Sequence, residues 1–154
     1  MILTEEVKSK IIEILDSKEF ISDLYAGLTT EQRKKLGQVY TPARVCIQML
    51  EGFECETLAG KTILDPACGS GNLLIACLIA GADSNKIYGN ELDPVAASLG
   101  VKRVNRACDI LGKSRIKPWQ VHVGDATDPY CLNIFSKDYS WPRMQQVDLF
   151  SSFF

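Results

Sequence analysis

No cysteine pair in this chain has C-x-x-C spacing, and a single histidine, His122, accompanies Cys46, Cys55, Cys68, Cys77, Cys108 and Cys131. That scattered donor set does not make a zinc cluster, so no metal is expected. The thiols read instead as small hydrophobes in a reducing compartment. Positive charge is not in excess either: 17 basic residues face 19 acidic ones, for a formal net charge of −2. No overall field attracts nucleic acid, although a locally basic face is compatible with that balance. No apolar run reaches the ~18 residues of a membrane span. The N-terminal "MILTEEVKSK" lacks the basic start and apolar core of a secretory signal. A cytoplasmic protein with no membrane association is therefore expected. Repeats and low-complexity tracts are absent as well. What is present is 46% hydrophobic residues in 154, enough for one domain with a core of its own.

The first part of the chain reads as helical. Thr4 is a plausible N-cap, Glu5 and Glu6 suit the first turn, and Val7, Ile11, Ile14 and Leu15 share one face over residues 4–16. A second short helix is expected over 19–28. The segment "TTEQRKKLGQVYTP" then reads as a polar connection, with Thr41-Pro42 opening the next helix. That helix should carry Val45, Met49, Leu50 and Phe53 inward.

From Lys61 the pattern becomes strand, turn, helix, repeated. "KTILD", "KIYGNEL", "QVHVGD" and "QVDLF" read as strands. Between them lie an apolar helix over 72–80 and a helix opened by Asp93-Pro94 with Ala97, Val101, Val104, Cys108 and Leu111 on its inner face. A further helix is opened by Asp128-Pro129, with Cys131, Ile134 and Phe135 inward. Alternating strands and helices predict a doubly wound α/β fold with a parallel sheet. Ligands of such sheets bind beyond the carboxyl ends of the strands. Asp65, Glu91 and Asp125 all fall at or just past those ends.

The stretch "ILDPACGSGNLL" (63–74) places Gly69 and Gly71 between a strand and a helix, where a ligand can approach main chain. A dinucleotide fingerprint needs a third glycine, and Leu74 stands at that position. Asp65 also disfavours phosphate and favours a cationic group. A nucleoside without phosphates, bearing an ammonium or sulfonium, fits better. Glu91 can accept both hydroxyls of a ribose. Asp125 can either accept from an adenine amine or cap the helix that follows.

"GQVYTP" (37–42), "ILDPACGSGNLL" (63–74), "IYGNELDP" (87–94) and "VGDAT" (123–127) occur in that order. Together they resemble the N-terminal half of S-adenosylmethionine-dependent DNA adenine-N6 methyltransferases of restriction–modification systems. The resemblance implies a Rossmann-like methyltransferase core over 37–154, preceded by a helical segment over 1–36. It implies S-adenosylmethionine as cofactor and DNA as partner. Tyr40, Thr41 and Pro42 would line the methionine end of the cofactor. Asp65, Ala67, Gly69 and Gly71 would form the turn beneath it. Glu91 would hold the ribose, Leu92 would pack on the adenine, and Asp125 with Ala126 would read its amino edge.

The family's catalytic tetrapeptide, Asn or Asp followed by Pro-Pro and an aromatic, follows its fourth strand. Here Ser151-Ser152-Phe153-Phe154 stands in that place, so no catalytic residue is assigned. The expected sheet is incomplete, with about four strands and an apolar open edge. A complementary C-terminal half or a second copy of the chain is accordingly expected as a partner. A catalytically silent cofactor-binding protein is the alternative function. The basic stretches "EQRKK" (31–35), "KRVNR" (102–106) and "KSRIK" (113–117) are expected to be solvated faces and a loop rather than phosphate contacts.

Overall fold

The computed structural model describes residues 2–128 and 149–150. The helix expected after Asp128-Pro129, with Cys131, Ile134 and Phe135, and the stretch 151–154 lie outside those residues.

Four strands form one parallel sheet in the order β3-β2-β1-β4: β1 Ile63–Asp65, β2 Ile87–Glu91, β3 Val121–Val123 and β4 Leu149–Phe150. All four strand expectations hold. Asp65 lies opposite Gly89, and Glu91 lies opposite Val123. Strands β1 and β2 are buried along their whole length. Burial of both faces is the usual state of parallel strands and explains why neither shows an apolar/polar alternation.

Helix α5, Asn72–Ile79, joins β1 to β2, and α6, Pro94–Leu111, joins β2 to β3. They pack on the sheet and on each other. Helix α5 is buried over seven consecutive residues, Asn72 to Leu78, because helices α1 (Glu5–Leu15) and α4 (Ala43–Glu51) cover its outer side. Asp93 caps α6 by accepting from the Val95 N–H at 2.9 Å, as its Asp-Pro start predicts.

Four helices precede the sheet: α1 Glu5–Leu15, α2 Lys18–Tyr25, α3 Thr30–Val39 and α4 Ala43–Glu51. Thr4 caps α1, accepting from the Val7 N–H at 3.2 Å. The polar connection expected after α2 is instead α3. Thr29 Oγ1 accepts from the Gln32 N–H at 3.1 Å, and Gln32 Oε1 accepts from the Thr29 N–H at 2.9 Å. This reciprocal capping box starts a helix rich in Glu, Gln, Arg and Lys, all good helix formers, and the lack of an apolar stripe hides it from periodicity. Thr29→Ala should cost about 1 kcal/mol of stability in urea unfolding. An unchanged midpoint would mean that α3 does not depend on its cap.

Helix α4 starts one residue later than expected. Pro42 occupies the N-cap position with no side-chain cap, and Thr41 stays in the loop. Its inward face is Ala43, Cys46, Ile47 and Leu50, with Val45 and Met49 only half-buried and Phe53 beyond its end. No helix among the described residues is long and apolar enough to cross a membrane.

Candidate functional site

The turn from Asp65 to Asn72 is built by its glycines. Gly69 (φ 54°) and Gly71 (φ 89°) both lie in the left-handed region, which side-chain-bearing residues adopt only at a cost. Gly71 ends the turn and immediately precedes α5. Helix α6 comes so close that a Cβ on Gly100 would sit 3.1 Å from the Gly69 carbonyl oxygen. In β2, a Cβ on Gly89 would meet Cys68 Sγ at 2.8 Å. The turn is therefore pressed between a strand and a helix, with no room for larger residues.

Its main-chain amides are largely spent within the protein. The Ala67 N–H donates to Asp65 Oδ1 at 3.1 Å, and the Cys68 N–H to the Asn90 carbonyl at 2.9 Å. The Gly69 N–H donates to Glu91 Oε2 at 2.7 Å, and the Gly71 N–H to the Cys68 carbonyl at 2.9 Å. The glycines thus do not open these amides to a ligand, contrary to the simplest expectation for a glycine turn. A pyrophosphate, which needs such donors, finds few here.

The three acids do meet along one rim. Asp65 and Glu91 are the last residues of adjacent strands, and Asp125 lies just beyond β3. Asp65 and Glu91 are buried, at 3% and 7% exposure. Glu91 uses one oxygen for Gly69, and its Oε1 accepts from the Asp93 N–H at 3.3 Å. Each carboxylate oxygen has a second lone pair beyond these bonds. Asp125 is exposed, and its Oδ1 accepts from both the N–H and the hydroxyl of Thr127, at 2.9 and 2.6 Å. Those bonds hold its carboxyl below the usual carboxylate range. Beside Glu91, Leu92 is 67% exposed, an apolar side chain at the lip of an acidic rim. Ala67 is also exposed.

Of the remaining expected residues, Ala126 is half-buried beyond β3, and Tyr40, Thr41 and Pro42 lie between α3 and α4. The Thr41 carbonyl accepts from Asn72 Nδ2 at 2.7 Å, which ties the loop before α4 to the start of α5. Tyr40 packs, half-buried, on an apolar cluster with Leu24, Ala96 and Leu99. Pro42 is exposed.

A family model described as N-6 DNA Methylase matches residues 16–111, more than half of the chain. The chain belongs to the N-6 DNA methylase family. It is 32% identical over 95 residues to the Type II methyltransferase M.VspI of Vibrio sp. (strain 343), covering 60% of this chain and 22% of that enzyme. Over 52 residues it is 44% identical to the ribosomal protein L11 methyltransferase of Vibrio vulnificus (strain YJ016), covering 34% of this chain and 16% of that one. The chain thus spans less than a quarter of the length of these relatives. Among solved structures it is similar to magnesium protoporphyrin IX methyltransferase of Synechocystis PCC 6803 with bound SAM. That likeness has 19% identity and a TM-score of 0.38, over 77% of this chain and 54% of that one.

The cofactor of the N-6 DNA methylase family is S-adenosylmethionine. The residues present fit it: a rim of carboxylates suits a cationic sulfonium, an apolar lip suits a purine face, and spent amides suit a ligand without phosphates. The family motifs contain two further residues that motif reading missed. Asn90, 1% exposed in β2, donates through Nδ2 to the carbonyls of Pro66 at 3.2 Å and Gly124 at 3.0 Å. Its Oδ1 faces His122 Nδ1 at 2.9 Å, which places the proton on that ring nitrogen because an amide oxygen only accepts. Asn72 is the other. For Asn72 the available signal was a polar residue opening an otherwise apolar helix, whereas Asn90, between Gly89 and Glu91, carried none. Cys46 and Cys68 flank the site, but burial pushes both thiols up, Cys46 to about 12, so neither offers a thiolate.

The basic stretches divide. Arg115 pairs with Asp109 at 2.6 Å, and Arg106 pairs with Glu19, both at the surface as expected. Arg103 is instead 1% exposed and lies on the inward face of α6, contrary to the solvated face expected for "KRVNR". The cause is steric: Ala96, Gly100 and Ala107 on the same buried face are small and leave room for a long side chain.

Proposed function

We propose that this chain forms the cofactor-binding part of an enzyme that methylates adenine N6 in DNA, of the restriction–modification type. The observation that carries the reading is that Asp65 and Glu91 are the last residues of adjacent parallel strands, with Glu91 bonded to the glycine turn. When bound, S-adenosylmethionine supplies a methyl group on a sulfonium. The chain's residues bind and orient it. Asp65 attracts the cationic end, and Ala67, Gly69 and Gly71 form the floor. Glu91 holds the ribose with its remaining lone pairs, and Leu92 covers the adenine. Asp125 and Ala126 read its amino edge, while Tyr40, Thr41 and Pro42 bound the methionine end. Residues 37–154 make this core, and residues 1–36 buttress it. DNA is the substrate.

Calorimetric titration of the chain with S-adenosylmethionine tests the site. Asp65→Asn keeps the shape and an acceptor for the Ala67 N–H but removes the charge, so affinity should fall about tenfold, or ~1.4 kcal/mol. Equal affinity in wild type and variant would remove Asp65 from the site. The substrate is tested by expressing the whole reading frame and digesting the DNA to nucleosides. N6-methyladenine is the expected product, and methyl groups found only on cytosine would refute the reading.

A further inference from the structure

The guanidinium of Arg103 is buried, and among the described residues its hydrogen-bond acceptors include no carboxylate. Nη1 donates to the Ser70 carbonyl at 2.9 Å, to Ser70 Oγ at 3.2 Å and to Asn72 Oδ1 at 2.6 Å, all neutral oxygens. The Phe20 ring of α2 lies 5.4 Å from Cζ, a cation–π distance. Nε and Nη2 have no hydrogen-bond partner among the described residues. Burial lowers the pKa to about 10, so the group is still charged at neutral pH. Burying a charge under such terms is costly, and an apolar side chain would fill the space more cheaply.

What an apolar side chain would not do is orient Asn72. The terminal oxygen and nitrogen of an asparagine exchange places on a half-turn about its last bond. With Oδ1 held by the guanidinium, Nδ2 must face the other way, where it donates to the Thr41 carbonyl at 2.7 Å. Without that hold the amide can turn its oxygen toward Thr41, placing two acceptors face to face. The link spans 31 residues of sequence and ties the start of α5 to the Tyr40–Pro42 loop.

We propose that Arg103 is a positioning residue: acting through Asn72, it sets the Thr41 loop at the methionine end of the cofactor. The proposal rests on the cofactor reading above. It separates the two ends of the ligand, because the adenosine end is held by Glu91 and Leu92, which Arg103 does not touch. Lysine at 103 keeps the charge, but its ammonium ends one bond short of the position from which Nη1 reaches Ser70 and Asn72, and it lacks the planar head that faces the Phe20 ring.

The test compares S-adenosylmethionine with 5′-methylthioadenosine, which lacks the amino-acid end, by calorimetry on the wild-type chain, Arg103→Lys and Asn72→Ala. Asn72→Ala leaves Arg103 bonded to Ser70 and serves if the lysine variant does not fold. Both variants should bind S-adenosylmethionine at least tenfold more weakly while binding methylthioadenosine within twofold of wild type. A parallel loss for both ligands would make Arg103 merely structural, and unchanged binding of both would remove it from the site. Either result, with the wild type still binding S-adenosylmethionine, overturns this proposal alone. A wild type that binds neither ligand overturns the cofactor reading and this proposal together.

Discussion

Glu91→Ala should weaken S-adenosylmethionine binding about 10- to 100-fold and lower stability by about 1–3 kcal/mol. Two losses combine. In the proposed binding mode the ribose loses a charged acceptor, and hydrogen bonds to charged groups contribute roughly 1.5–3 kcal/mol. The Gly69 N–H, held at 2.7 Å by Glu91 in a buried turn, also loses its acceptor, with an unsatisfied-donor penalty of about 1–3 kcal/mol. Glu91→Gln retains an oxygen for that N–H and should recover most of the stability but only part of the affinity. Calorimetry and urea unfolding on the same samples separate the two. A variant that loses stability yet binds as tightly as wild type would reduce Glu91 to a strut for the turn.

Gly71→Ala should destabilise the fold by about 2–5 kcal/mol. A left-handed backbone costs a side-chain-bearing residue roughly 1–2 kcal/mol, and overpacking adds about 1–3. The added Cβ would sit 3.0 Å from Val104 Cγ2 and 3.4 Å from the Gly100 carbonyl, so α6 and the turn must part. The denaturation midpoint should fall with its slope unchanged. A loss below about 1 kcal/mol would mean that α6 yields easily and that the close packing of turn and helix is not needed for the fold.

Much of this architecture can be read from short-range chemistry. The strands appear because β1 and β2 are buried on both sides, and α6 because Asp93 and Pro94 announce its start. The three acids and the glycine turn follow from where strands end. Helix α3 escapes because its stability begins with a reciprocal cap at Thr29 and Gln32, while its polar surface resembles a loop. Thr41 looks like a cap, but the chain turns helical one residue later. The long-range links are the least legible. The burial of Arg103 shows only as an arginine among Ala96, Gly100 and Ala107 at helical spacing. Its partners Ser70 and Asn72 lie 33 and 31 residues away.

Asn90 acts as a caliper. By grasping Pro66 on one side and Gly124 on the other, a single amide sets how far apart the loops after β1 and β3 stand. A ligand bound between loops so spaced in advance would leave little ordering to charge against its affinity.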